Sequence, residues 1–295
     1  MTRAASSGLP HPNPSLEGEG LVPSREAIVA TARETIARGS KSFALASRLF
    51  DRTTRERAWL LYAWCRACDD LADGQVLGGP LGVGGDVATI RDLTERALGG
   101  EWVGEASFGG LRLLCAEVPI PRAVIDDHIA GFALDAEGWR PRTEGDLIRY
   151  CHHVAGAVGE MMAVVMGVSA DDADTLARAD DLGIAFQLAN IARDVREDAA
   201  GGRCYLPQDW LDAGMTEVEA LRRLTGLAAH YEESARIGAR RLPFRSRWAV
   251  LAAAEIYGGI ARKVAADPDR ALTERVVTGR GEKLASVMRA FGQAL

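Results

Sequence analysis

From Ser24 to the C-terminus, apolar residues return at helical spacing, and strand-like alternation is almost absent. That periodicity restricts the chain to helices packed on helices. Ser24 is a candidate N-cap and Gly39 a candidate stop for the first helix. Further helices are predicted near 54–73, 87–98, 108–117, 121–135, 144–167, 171–199, 216–242, 245–266 and 281–293. The stretch "RVVTG" (275–279) is too short to build a sheet, and "GQVLGGPLGVGGD" (74–86) reads as a glycine-rich loop. No fixed-period repeat and no break in composition divides the chain. The expected fold is all-α, a single-domain helical bundle over residues 24–295. The opening "MTRAASSGLPHPNPSLEGEGLVPS" lacks the apolar core of a secretory signal and predicts a disordered extension over 1–23.

Bulk properties narrow the function classes. With 295 residues, 47% hydrophobic and 26% charged, the chain can bury a sizeable core and has ordinary globular composition. A net charge of −6 argues against a nucleic-acid binder. Five cysteines without regular spacing read as reduced thiols, which fits a cytoplasmic protein. No apolar run reaches the roughly 18 residues of a membrane span.

Two segments carry an unusual load of acid on apolar helices. In "CRACDDLADG" (65–74), with Asp69 as reference, Tyr62 falls at about 20°, Asp73 at about 40° and Arg66 at about 60° around the helix. Asp70 lies farther round, at about 100°. In "FQLANIARDVRED" (186–198), Asn190, Asp194 and Asp198 are spaced i, i+4, i+8 and form one line, with Gln187 beside them. Either stripe alone reads as a solvated face. The pair is different, because Arg66, Arg193 and Arg196 are too few to neutralise at least six acids. Oxygen ligands at this spacing on two facing helices suit Mg²⁺ bound together with a diphosphate. Unliganded, such facing carboxylates repel, so neutralising Asp194 is expected to stabilise the metal-free protein.

Other features read more weakly. Cys65 and Cys68 form a lone C-x-x-C inside a helix, where packing outweighs redox or zinc chemistry. His152 and His153 are adjacent and diverge by about 100° on an α-helix, so they are not expected to hold a metal jointly. In "VAGAVGEMMAVVMG" (154–167), Gly156 and Gly159 mark either a tight helix contact or a smooth wall for a long apolar chain. On the second reading Met161, Met162 and Met166 line that wall, and a bulky residue at Gly159 shortens it.

Four blocks then carry a resemblance: "GSKSFALASRLF" (39–50), "YAWCRACDDLAD" (62–73), "YCHHVAGAVGEMM" (150–162) and "LGIAFQLANIARDVREDAAGGRCYLPQDWL" (182–211). They resemble, in order, the signature blocks of bacterial-type members of the squalene/phytoene synthase family of head-to-head prenyl transferases. The likeness extends over about 30–290. It implies an isoprenoid-synthase-type bundle around a central cavity, with the two acidic helices facing each other. It implies Mg²⁺, with Mn²⁺ as an alternative and no NADPH, held by Asp69, Asp73, Asn190, Asp194 and Asp198. It implies substrate contacts from Ser40, Ser42, Tyr62, Arg66, Gln187, Arg193, Arg203, Tyr205, Tyr257 and Arg275. Gly39 stands where some dehydrosqualene synthases have histidine, and no role is assigned to it.

The activity implied is condensation of two geranylgeranyl diphosphates, through prephytoene diphosphate, to phytoene. The alternative within this chemistry is a squalene-type or presqualene-diphosphate synthase acting on farnesyl diphosphate. A non-catalytic scaffold of the same fold would be expected to lose the acidic positions, which are present here. The expected partners are prenyl diphosphates, with no nucleic acid and only weak peripheral contact with a membrane.

Overall fold

The computed structural model describes residues 22–73 and 87–295. Most of the proposed extension (1–21) and the glycine-rich loop (74–86) lie outside the described residues. Among the described residues there is no strand, as the periodicity predicts. The chain winds through α1 (Arg25–Gly39), α2 (Lys41–Ser47), α3 (Arg52–Asp73), α4 (Val87–Leu98), α5 (Ala106–Glu117), α6 (Arg122–Ala136) and α7 (Glu144–Cys151). A π-helical turn (His152–Gly156) then leads into α8 (Ala157–Val165). The rest comprises α9 (Ala173–Ala200), α10 (Gln208–Asp212), α11 (Glu217–Ala239), α12 (Phe244–Ala266), α13 (Pro268–Ala271) and α14 (Arg280–Ala294).

Local chemistry explains several boundaries. The Ser24 hydroxyl accepts from the Ala27 amide at 3.3 Å and starts α1, which ends at Gly39. Thr143 and Asp146 form a reciprocal capping box on α7, as do Thr216 and Glu219 on α11. The predicted helix over 144–167 is interrupted. Backbone bonding widens to the i+5 pattern at His152–Gly156, a register change that apolar periodicity does not encode.

The helices form two halves with a cavity between them. In the first, α1, α3, α5 and α6 bury Trp64, Phe108, Leu60, Leu111 and Ile129. In the second, α7, α9, α11 and α12 bury Leu188, Trp210, Leu224 and Val264. The π-turn and α8 join the halves by packing on both α6 and α9. The α3 and α9 helices share no extended seam; both line the space between the halves.

The join is unusually close. A Cβ on Gly183 of α9 would collide with the Ala155 carbonyl and the Gly156 Cα, and one on Gly159 would collide with the Ala179 carbonyl. These are backbone atoms with nowhere to move. The expectation for a bulky residue at Gly159 is therefore corrected: its side-chain direction points into α9, so substitution breaks the seam rather than shortening a tunnel. Met161 is likewise buried in the first core, while Met162 and Met166 do line the cavity.

Glycine replacements should thus split by position. Gly183→Ala is expected to lose about 1–3 kcal/mol through overpacking, despite better helix propensity. Gly226→Ala, in α11 with nothing within 4 Å of a new Cβ, is expected to gain about 0.5–1 kcal/mol. Urea denaturation of both variants checks the pair; a gain in stability from Gly183→Ala would refute the seam.

Candidate active site

Two compartments meet between α3 and α9. The first is an apolar cavity of about 350 Å³, walled by α2, α3, α8, α9, α11 and α12. Its lining on α9 runs from Asn190 to Thr175, about 22 Å of helix. The second is a polar pocket of about 620 Å³ that holds Arg66, Arg193, Asp194, Asp198, Arg203 and Tyr205. Asp69, Gln187 and Asn190 border both. They mark the doorway between the two.

Most of the sequence-predicted residues fall on these two compartments; Arg275 borders neither but reaches Asp194. Ser40, Ser42, Tyr62 and Tyr257 line the cavity. Ser40 caps α2 by accepting from the Phe43 amide at 3.2 Å. Tyr62 lies 5.6 Å from Phe43 between ring centroids, and burial pushes its hydroxyl pKa up to about 12. Gly39, left without a role, gains one: any side chain there would strike the Tyr62 hydroxyl. Tyr257 stacks on Phe186 at 4.2 Å, and burial raises its pKa as well. Both phenols therefore stay neutral at physiological pH. Asp73 closes α3, and its side chain lies outside the described residues.

The charges in the polar pocket are unequally compensated. Arg66 bonds Asp70 through Nε at 3.0 Å and lies 3.8 Å from Asp69. Asp194 receives the Nε of Arg193 and the Nε of Arg275, both at 2.8 Å. Burial pushes the Asp194 carboxyl up, but the two guanidinium groups outweigh it and hold its pKa below the ordinary value. Arg196 turns away to the Thr273 carbonyl. Asp198 has the opposite balance: burial, then the Asp194 charge, raise its pKa to about 6. Asn190 Oδ1 is buried without a hydrogen-bond partner.

The expectation for Asp194 is thereby corrected. It is the neutralised acid, because Arg275, which is distant in sequence, folds back onto it. The carboxylate that weighs against folding is Asp198.

Sequence reasoning missed part of the pocket. Asp135 on α6 accepts from Tyr150 at 3.0 Å and from Tyr205 at 3.1 Å, and the two tyrosine rings stack at 5.0 Å. A lone aspartate in "GFALDAEG" gives no periodic signal. His128, on the cavity wall, was also missed; burial lowers its pKa to about 4, so its ring is neutral. The C-x-x-C pair is unremarkable by comparison. Both thiols are free, and burial raises their pKa values, which disfavours thiolate chemistry.

An apolar cavity opening on an arginine- and carboxylate-lined pocket, within an all-α bundle, defines an isoprenoid-synthase-type architecture. The squalene/phytoene synthase family model matches residues 36–282, and the chain belongs to that family. It is 43% identical to the 15-cis-phytoene synthase of Enterobacter agglomerans over 87% of this chain and 92% of that protein. It is 42% identical to the 15-cis-phytoene synthase of Pantoea ananas over 90% of this chain and 91% of that one. Among solved structures, a dehydrosqualene synthase in complex with ligand superposes with a TM-score of 0.79 at 24% identity, covering 91% of this chain and 96% of that one. At that identity the superposition shows the shared fold.

Stability should separate the two aspartates. In EDTA, Asp194→Asn is expected to lose about 1–3 kcal/mol, because it removes the negative charge that pairs with two guanidinium groups. Asp198→Asn is expected to raise the melting temperature by relieving an undercompensated charge. Thermal melts of both variants beside wild type test this; a higher melting temperature for Asp194→Asn than for Asp198→Asn would overturn the charge assignment.

Proposed function

We propose that this chain is a prenyltransferase that condenses two geranylgeranyl diphosphates head-to-head to phytoene, releasing diphosphate. The observation that carries the reading is the shared doorway: Asp69, Gln187 and Asn190 border both an apolar cavity and a charged pocket. A prenyl diphosphate has the same two parts, an apolar tail and an anionic head. The 40–43% identical relatives named as phytoene synthases support geranylgeranyl over farnesyl diphosphate as substrate.

Asp69, Asp73, Asn190, Asp194 and Asp198 are proposed to hold Mg²⁺, with Mn²⁺ as a substitute. The donors fit. They are all oxygens, Asn190 Oδ1 is an orphaned buried acceptor, and Asp198 is undercompensated. When bound, Mg²⁺ stabilises negative charge on the departing diphosphate. Arg66, Arg193, Arg203 and Arg275 are proposed to supply the remaining positive charge. Ser40, Ser42 and Tyr62 position the substrate where its tail enters the cavity.

In the first step the allylic C–O bond breaks and the bond pair leaves with diphosphate. The cation alkylates the second molecule's double bond, and proton loss closes the cyclopropane ring of prephytoene diphosphate. A second ionisation, rearrangement and proton loss give phytoene, with no reductant required. The cavity wall, with Phe186, Val158 and Met162, keeps water from the cations. No helix among the described residues is long and apolar enough to cross a membrane. A cytoplasmic enzyme that touches membranes weakly, to exchange apolar molecules, is the proposed setting.

Purified protein given Mg²⁺ and geranylgeranyl diphosphate should yield phytoene, and EDTA should abolish turnover. Asp69→Asn should lower turnover by orders of magnitude while leaving the melting temperature near wild type. Ala179→Phe lines the cavity about 16 Å along α9 from Asn190 and should impair geranylgeranyl more than farnesyl diphosphate. Product from farnesyl diphosphate alone would instead establish the squalene-type alternative.

A further inference from the structure

Beside the cavity wall lies a second polar cluster, whose residues line neither the cavity nor the polar pocket. It joins Asp127 of α6, His152 and His153 of the π-turn, and Asp180 of α9. Asp127 presents one oxygen to each histidine: Oδ2 is 3.7 Å from His152 Nε2, and Oδ1 is 3.7 Å from His153 Nδ1. Both separations are too long for hydrogen bonds. They are close to the roughly 3.4 Å between two donors on a tetrahedral ion with bonds of about 2.0–2.1 Å. One ligand atom from each of the three residues lies within 4.8 Å of the others.

The histidine nitrogens are set for a ligand. His152 Nδ1 donates to Asp180 Oδ1 at 2.7 Å, which orients the ring and leaves Nε2 facing Asp127. A carboxylate holding the far nitrogen of an imidazole is the usual outer support of a metal-bound histidine. His153 Nδ1 is buried and makes no hydrogen bond. A lone pair facing a carboxylate is satisfied by a proton or by a metal cation.

The sequence expectation that adjacent histidines do not share a metal assumed α-helical spacing. Across the π-turn both rings face the same carboxylate, with centroids 5.2 Å apart. Single π-turns recur at functional sites.

We propose that Asp127, His152 and His153 form a transition-metal site of the zinc class, with Asp180 orienting His152. Two imidazoles and one carboxylate suit Zn²⁺, Co²⁺ or Ni²⁺, whereas the oxygen-only donors of the polar pocket suit Mg²⁺. The two sites are therefore chemically separate. The ion ties α6 to the π-turn. Since α6 carries His128 and Asp135, and the π-turn carries Val154 and Ala155, it braces walls of both compartments without joining the reaction.

The test uses the full chain, stripped with EDTA and returned to excess Mg²⁺. It is then titrated with Co²⁺ by visible absorption and with Zn²⁺ by calorimetry. One equivalent should bind, with the strong absorption of four-coordinate Co²⁺. His153→Ala and Asp127→Asn should each abolish it, and Asp180→Asn should weaken it about 10–100-fold. Asp69→Asn should bind normally, and Zn²⁺ should raise the melting temperature of wild type but not of Asp127→Asn. Asp127 is part-exposed, so that variant serves even where His153→Ala does not fold. No binding above Mg²⁺, or binding unchanged in Asp127→Asn, would overturn the site and leave a protonated His152 as the explanation.

Discussion

Asp194 lies between the guanidinium groups of Arg193 and Arg275, while Asp198, one turn further along α9, is buried with less compensation. This uneven pairing governs the polar pocket. Full neutralisation of every acid would leave no vacancy for a cation, and none at all would drive the helices apart. One acid held by arginines gives a pocket that stays folded, keeps its guanidinium groups in place, and still offers oxygens. Much of the surrounding architecture serves that arrangement. The segment after α13 must return so that Arg275 reaches α9, and α6 must present Asp135 to Tyr150 and Tyr205.

The same helix, α9, sets the apolar side. Its backbone is pressed against the π-turn and α8 through Gly183 and Gly159, so that wall is fixed by main chain. From α8 and its C-terminal end the longer side chains of Met162 and Met166 reach the cavity and can repack around an apolar tail. A wall with a fixed backbone and adaptable side chains suits such a tail without demanding one exact shape.

Much of this was legible in the sequence, and the reasons for the gaps are specific. Periodicity gave the helices and both acidic stripes because each is a local pattern on one helix. The Asp194 pairing was invisible because its second arginine, Arg275, lies 81 positions away. Asp135 was missed because its partners, Tyr150 and Tyr205, come from two other segments. The two readings of Gly159 stayed open because the sequence locates a small residue without saying which neighbour needs the space. The approach of both histidine rings to Asp127 was not legible for another reason: angular arithmetic assumes α-helical geometry, and the π-turn departs from it.

What remains is how a carbocation survives a few ångströms from so many anions. The structure separates them. The arginine-paired acids lie in the polar pocket, and Asp69 is the carboxylate at the doorway. Inside the cavity the polar lining includes the Ser40 and Ser42 hydroxyls and the neutral His128 ring beside the Tyr62 and Tyr257 hydroxyls, and burial keeps both phenols protonated. Neutral phenols offer dipoles and π-faces, which attract a cation without forming a bond to it. Phe186, stacked on Tyr257, and Phe43, beside Tyr62, extend the same surface. A cation formed at the doorway is thus drawn toward aromatic faces on one side and its departed diphosphate on the other. On the proposed mechanism, reaction with a second prenyl chain then competes with return to diphosphate, and anchoring of that diphosphate by the proposed arginines and metal would weaken the return.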